Sequence, residues 1–158
     1  MANTQSMCTS FMSEILTATH NFGTAPTRGT SAADTFKAAL YLTSATVNAA
    51  TTAYSATNEV SGTNYTAGGV TVTNATAPTP ANSSPTAGVA YWTPSASITY
   101  TNVTLSSAFD AVLIYNSSQS NKAVSVHTFG SQTITAGTFT LTMPSNTTTT
   151  ALLRLSTT

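Results

Sequence analysis

Short runs in which apolar and polar residues alternate with a period of two recur along the chain after residue 26. This alternation is typical of β-strands, because successive side chains of a strand point to opposite faces of the sheet. The strongest run, 109–115, is apolar on both faces, which predicts a central strand that is covered on both sides. Strands are predicted at 36–43, 70–72, 98–105, 109–115, 124–127, 134–143 and 151–155.

Turn and loop signals separate these runs. A switch of apolar parity near Thr101 and Asn102 predicts a β-bulge, and Ala136-Gly137 marks a turn or a bulge. The segment 76–88 is rich in Pro, Asn and Ser and predicts an exposed loop. Eight or so short strands of this kind predict an all-β, single-domain β-sandwich or jelly-roll-like fold, although the pattern does not separate a sandwich from a barrel.

The segment before residue 26 has helical periodicity instead. Its apolar side chains recur at the spacing of one helix face, with Ser10 placed as the N-terminal cap and Gly23 able to end the helix. The predicted organisation is an N-terminal arm or helix, 1–25, followed by a β-sandwich domain, 26–158. The short helix either packs on its own domain or docks on a neighbouring subunit. The candidate docking residues are Phe11, Met12, Ile15, Leu16 and Phe22.

Charged residues make up only 5% of the chain, against roughly a quarter in an ordinary globular protein. Four acidic and four basic side chains leave a formal net charge of zero, and Ser and Thr supply about a third of the residues. Such a surface favours association, because net charge keeps soluble proteins apart. It argues against nucleic-acid binding, which depends on clustered Lys and Arg. We also expect no membrane segment and no signal peptide, since neither pattern is found in the sequence.

The residues that enzymes and metal sites need are scarce. The bases are His20 and His127, and a trio of a Ser, His127 and Asp110 can be drawn only because serine is abundant. Two distant histidines without a third ligand do not make a zinc site, and the lone Cys8 excludes an intramolecular disulfide. The sequence therefore predicts no catalytic residue, no metal site and no cofactor.

Trp92 is the one candidate for contact with a glycan, since Tyr91 adjoins it and Tyr100 lies nearby in the sequence. Aromatic rings can stack on the apolar faces of sugars. The alternative is that Trp92 fills the core, because a small sandwich needs large side chains. Core packing is the favoured interpretation.

The most specific segment has the spacing Tyr-x4-Glu-x2-Gly-x2-Tyr-x2-Gly-Gly and runs from Tyr54 to Gly69. Its glycines predict tight turns with positive φ, with the second tyrosine held between them. Glu59 is expected to accept hydrogen bonds from the backbone or from hydroxyls within the loop, or to pair with an Arg. We interpret the segment as a structural turn motif made of Tyr54, Glu59, Gly62, Tyr65, Gly68 and Gly69.

This motif resembles a segment that recurs in small virion proteins of tailed bacteriophages. The similarity extends over most of the chain and implies a structural protein without enzymatic activity. The other matching segments are Cys8-Thr-Ser-Phe11 before the helix, 34–42, Ala90-Tyr-Trp92, 109–116 and 129–144.

Within such a virion we expect a capsid decoration, or cement, protein on the outside of the head, made in the cytoplasm of the host bacterium. Its expected partners are the major capsid protein and further copies of itself in a homo-oligomer such as a trimer, with no nucleic acid and no membrane. The first alternative is a neck, tail or head-fibre component that binds a host-surface glycan through Trp92 and the loop at 76–88. A further alternative is a polysaccharide-degrading enzyme that uses His127.

Overall fold

Strands dominate the computed structural model, which describes residues 2–24, 33–74, 77–81 and 88–157. The predicted all-β class with one short N-terminal helix is confirmed, and the strands form two antiparallel sheets. The elements in chain order are β1 (Ser6–Met7), α1 (Thr9–Leu16), β2 (Phe36–Leu42), β3 (Val70–Thr71), β4 (Thr79–Ala81), β5 (Val89–Trp92), β6 (Ile98–Asn116), β7 (Lys122–Leu141) and β8 (Leu153–Ser156).

The larger sheet has five strands in the order β1-β7-β6-β2-β3. β6 and β7 form a long hairpin whose register runs from Asn116↔Lys122 at the turn to Ile98↔Leu141 at the open end. β2 pairs with the turn-proximal half of β6. Residues 111–116 of β6 are all buried, so the prediction of a central strand covered on both faces is confirmed.

The smaller sheet has three strands in the order β4-β5-β8. Trp92 of β5 and Leu153 of β8 belong to the same hydrophobic cluster as the buried residues of β2, β6 and β7. One core therefore serves both sheets, as expected for layers that bury one face each.

β6 and β7 are much longer than the short strands predicted from the sequence. β6 spans both predicted runs 98–105 and 109–115, while β7 spans 124–127 and most of 134–143. The alternation of inward and outward side chains changes at bulges within the strands and not at turns between them. The register shifts between Tyr100 and Val103, where Asn102 has a φ of 52°. A second bulge lies at Ala136, which has a φ of 46°. A bulge adds an unpaired residue without ending the strand. The bulge predicted near Asn102 is confirmed, and the separation into four short strands is wrong.

Part of the predicted loop 76–88 is a strand. Thr79–Ala81 forms β4 and pairs with β5, with Pro80 opposite Ala90. The sequence suggested a loop because Pro cannot donate to a sheet ladder, but β4 is an edge strand, where Pro is tolerated. Residues 76 and 82–87 of the predicted loop lie outside the described residues.

The ends of α1 differ from those predicted. The N-cap is Cys8, because pairing of β1 and the bond from Cys8 N–H to the Val124 carbonyl (3.0 Å) keep the chain extended up to that residue. Ser10 therefore lies inside the helix, and its buried Oγ has no hydrogen-bond partner among the described residues. At the other end, Ala18 has a φ of 56°, so the helix stops well before Gly23.

The N-terminal segment shares the core of the sheets. β1 adds to the edge of β7, and Cys8 and Phe11 are buried in the common hydrophobic cluster. The predicted boundary between residues 25 and 26 lies outside the described residues.

Candidate docking surface

The helix α1 presents an inner and an outer face. Phe11 is 1% exposed and Glu14 is 9% exposed, so both point into the protein. Met12 and Leu16, one helical turn apart, are 50% and 88% exposed. They form an outward apolar ridge, which is the most exposed part of the stripe found in the sequence.

The structure divides the predicted docking residues between these faces. Met12 and Leu16 are open to a partner, whereas Ile15 and Phe22 are half-buried. Phe11 is not available for docking, because it packs in the core and its ring contacts those of His20 and Phe22. The helical spacing identified one continuous stripe, but a stripe this wide covers both an inward and an outward flank.

The same helix lines an apolar cavity of about 400 Å³ with Phe11 and Ile15, opposite residues of β5 and β8 in the smaller sheet. The cavity ends at Leu155, which is 42% exposed and is, with Met12 and Leu16, one of the exposed large apolar side chains of the described residues. We call the Met12–Leu16 ridge together with this cavity the docking surface. Apolar side chains that line the cavity include Met7, Ile15, Phe22, Trp92, Leu153 and Leu155.

Two aromatic residues that line the cavity, Phe22 and Trp92, belong to a cluster of packed rings. Phe22 stacks on Phe36 with ring centroids 4.3 Å apart, and it meets Trp92 edge-on at 4.8 Å. Trp92 is 2% exposed, and its indole Nε1–H donates to Asn74 Oδ1 at 3.0 Å. Stacking on a sugar needs an open ring face, so the burial of Trp92 favours the core-packing interpretation over a glycan contact.

A polar network holds α1 against the β6–β7 turn. Lys122 Nζ lies 2.5 Å from one carboxylate oxygen of Glu14, and His20 Nε2 lies 2.8 Å from the other. The second ring nitrogen of His20 accepts from the Asn116 side-chain amide at 3.0 Å. Burial acts to raise the pKa of Glu14, but the hydrogen bonds from Lys122 and His20 outweigh it, and the pKa lies below its ordinary value. The helix that carries the ridge is thus fixed in place.

All four carboxylates of the chain are used inside the protein. Besides Glu14, Asp110 accepts from the Asn3 amide at 2.6 Å, and Asp34 accepts from the Asn116 and Gln119 amides. Glu59 accepts three hydrogen bonds, described below.

The turn motif forms around the Glu59 carboxylate. One oxygen accepts from the Tyr54 hydroxyl at 2.6 Å; the other accepts from the Tyr65 hydroxyl at 2.7 Å and from the Gly68 N–H at 2.8 Å. These are the hydroxyl and backbone hydrogen bonds expected from the sequence. Burial, together with the bond to Glu59, raises the pKa of Tyr54 and of Tyr65, so both hydroxyls remain donors.

The glycines of the motif serve two different purposes. Gly68 and Gly69 have φ of 88° and 70°, as predicted for tight turns. Gly62 does not have a positive φ, and the prediction is wrong on this point. Its role is steric, because a Cβ there would lie 2.0 Å from the Thr104 carbonyl oxygen.

The residues considered for catalysis form no triad in the described part of the chain. Ser125 Oγ lies 2.9 Å from His127 Nε2, and Ser125 is 1% exposed. Asp110 bonds to Asn3, and among the described residues no hydrogen bond joins it to His127. Burial lowers the pKa of His127 to about 4, which makes it a weak base at neutral pH.

Over the residues that the structure describes, no three His, Cys, Asp or Glu side chains are grouped closely enough to hold a metal ion. Nor is any helix within the same ranges long and apolar enough to cross a membrane. Comparisons with protein-family models, with curated proteins and with solved structures found no match to this chain.

Proposed function

We propose that this chain is a structural protein of a tailed-bacteriophage virion, and specifically a decoration protein that binds the outside of the head. The observation that carries the proposal is the docking surface: α1 exposes an apolar ridge, Met12 and Leu16, and lines an apolar cavity with Phe11 and Ile15. Exposed apolar patches of this kind mark sites where proteins associate. The sequence resemblance to small virion proteins of tailed bacteriophages is the reason for proposing a phage virion as the particle.

The use of charge in the fold supports adhesion through apolar contact. Each carboxylate is bonded internally, and Lys122 pairs with Glu14, so few ions remain for a partner to recognise. Association through such a surface gains free energy from burial of apolar area and depends little on ionic attraction.

The rigidity of the ridge also supports a docking role. α1 is fixed on its inner side by buried Phe11 and by the Glu14–Lys122 contact. A side chain presented on a rigid element loses less conformational entropy on binding than one on a free arm. The major capsid protein is the proposed partner, and several copies gripping neighbouring capsid subunits would strengthen each weak contact through effective concentration.

The test is the location of the protein on virions of the phage whose genome encodes it. Antibodies raised against the purified chain should label the head surface in immunogold electron microscopy, and the chain should be found by mass spectrometry of purified virions. Label on the neck, tail or fibres would contradict head decoration and support the alternative, a neck, tail or head-fibre component. Absence from the virion would overturn the proposal entirely.

A further inference from the structure

His20 is enclosed between two polar side chains, one at each nitrogen of its ring. Its side chain is 0% exposed, Nε2 lies 2.8 Å from Glu14 Oε2, and Nδ1 lies 3.0 Å from the side-chain Nδ2 of Asn116. Glu14 is ionised at neutral pH, since its pKa lies below its ordinary value. A carboxylate accepts hydrogen bonds and an amide nitrogen donates them, so Nε2 carries a hydrogen and Nδ1 accepts one.

The orientation of the Asn116 amide is fixed by two further partners. Its Oδ1 accepts the Ser118 backbone N–H at 3.1 Å, and its Nδ2 donates to Asp34 Oδ2 at 2.7 Å. Turning the amide over would place its oxygen against the Asp34 carboxylate and its NH₂ group against the Ser118 N–H, so both bonds would be lost. Asn116 therefore presents a donor to His20, and the network fits a neutral imidazole with its hydrogen on Nε2.

We propose that His20 is an acid-sensitive latch between the segment 17–24, which follows α1, and the end of β6. The latch is closed while the imidazole is neutral, and it opens when Nδ1 takes up a proton. The new N–H would point at an N–H of Asn116, so a hydrogen bond becomes a meeting of two donors. The rings of Phe11 and Phe22, with centroids 5.0 and 6.2 Å from that of the imidazole, offer no strong acceptor in its place.

The charges around His20 decide which of its two contacts breaks. Glu14 of α1 already accepts from Nε2 and attracts the imidazolium, while Lys122 of β7 binds the other oxygen of the same carboxylate. Asp34, which precedes β2, is the second anion of the network and contacts Asn116 Nδ2. Because opposite charges attract, the protonated ring stays with Glu14 and separates from Asn116.

Two backbone amides report the opening. If the ring moves away from Asn116, it carries with it the next residue, Asn21, whose N–H donates to Asp34 Oδ2 at 2.8 Å. If instead the Asn116 amide turns over to offer its oxygen to the ring, the Ser118 N–H loses its acceptor. Either response exposes one of these two amides to exchange with water.

The latch can be measured on the purified chain, without any phage particle. Its consequence for docking rests on the proposed function: Phe22 and Gly23 of the segment line the apolar cavity, so opening would alter the docking surface in acid. A working latch in a chain that is absent from virions would contradict the proposed function alone. A chain found on heads without any acid response at Asn21 or Ser118 would contradict the latch alone.

The experiment follows His20 and the two amides by NMR between about pH 8 and about pH 5, the range in which a histidine ordinarily changes charge. At the upper end, the ring-nitrogen spectrum should show His20 as the Nε2–H tautomer. As His20 takes up a proton, the protection factor of the Asn21 or the Ser118 amide should fall roughly tenfold, about the effect of one lost hydrogen bond. The amide of Leu113, in the central part of β6, should keep its protection.

Two glutamine variants separate His20 from the other histidine of the chain, His127. Glutamine offers both a donor and an acceptor at every pH. His20→Gln should therefore keep partners for Glu14 and Asn116 and abolish the acid response. His127→Gln, the matched control, should respond like the wild type.

The wild-type spectra decide the question even if His20→Gln does not fold. Four results would overturn the latch. They are a His20 that is cationic or carries its hydrogen on Nδ1 at neutral pH, protection of both amides that does not change as His20 titrates, a ring that stays neutral until the whole chain unfolds, and an unchanged acid response in folded His20→Gln.

Discussion

The Glu59 carboxylate accepts the backbone N–H of Gly68 at 2.8 Å, and this bond joins the interior of the turn motif to its C-terminal end. Gly68 has a φ of 88°, and its carbonyl accepts from the Tyr115 hydroxyl of the central strand at 2.8 Å. The loop is therefore held at Gly68 through the N–H of one peptide group and the carbonyl of the next. Glu59, whose carboxylate closes this loop, is only 9% exposed.

Replacing this carboxylate should destabilise the protein. In Glu59→Gln one acceptor oxygen becomes an NH₂ donor, which leaves at least one of the Tyr54, Tyr65 and Gly68 donors without a partner. We expect a loss of about 1–3 kcal/mol in the free energy of unfolding, measured by chemical denaturation. Tyr54→Phe, which removes a single hydroxyl, should cost less. Unchanged stability of Glu59→Gln would refute the structural role of the motif.

Two glycine substitutions should have opposite outcomes. A Cβ at Gly62 would lie 2.0 Å from the Thr104 carbonyl oxygen, whereas one at Gly130 would meet nothing within 4 Å. Gly62→Ala should therefore lower the free energy of unfolding by about 1–3 kcal/mol, because backbone on one side must move. Gly130→Ala should be neutral or slightly stabilising, since glycine weakens a strand interior. Similar thermal midpoints for the two variants would contradict the close approach at Gly62.

Stability should fall between about pH 6.5 and pH 4 because of His127. Burial lowers the pKa of this side chain from 6.5 to about 4. As the pH falls through that window, the unfolded chain binds a proton that the folded protein does not, so acid favours unfolding. We expect His127→Gln to remove a decline on the order of 1–3 kcal/mol across this range.

The control for this pH effect lies at lower pH. The pKa of Glu14 is below its ordinary value of 4.5, so its stabilising contribution is lost only as the pH falls below that value. Both the wild type and His127→Gln should lose stability there. A wild-type profile that is flat between pH 6.5 and pH 4 would show that His127 is not protected from protonation.

Binding to phage heads should depend on the ridge and little on salt. Leu16→Asp should lower binding roughly tenfold or more without changing the thermal midpoint, because the side chain is 88% exposed and contributes little to the core. Ser13→Asp, also exposed on α1, is the control for the added charge. Co-sedimentation with heads at low and high NaCl measures both effects.

The salt arm of that experiment has its own expected outcome. Ionic contacts weaken as the Debye length shrinks, from about 10 Å at 0.1 M to about 3 Å at 1 M. We expect the Kd of the wild type to change less than about twofold over this range. Release of the protein from heads in moderate salt would indicate an ionic interface and contradict the apolar mechanism.

Local patterns allowed much of the strand arrangement to be predicted. The alternation at 36–43 and the two apolar faces at 109–115 correspond to β2 and to the buried half of β6. The helix was recognisable from its apolar spacing, and the bulge at Asn102 from the change of parity. These features depend on side chains within a few residues of each other, which is the range over which periodicity is informative.

Other features depended on contacts between distant parts of the chain. The length of β6 and β7 is set by their mutual pairing, and the N-cap of α1 is set by the pairing of β1 with β7. The apolar cavity combines residues of α1, β5 and β8, which are far apart in the sequence. No local signal marks the steric role of Gly62 against Thr104 either.

Strand formation, the single helix and the scarcity of ions follow from the sequence alone, because backbone preference, alternation and composition are local properties. Which apolar residues of the helix are buried and which are exposed, and that Trp92 is closed to solvent, follow only from the assembled fold. The physical reason is that burial and pairing are properties of the assembled layers, and two residues of the same hydrophobicity differ only in what is packed against them.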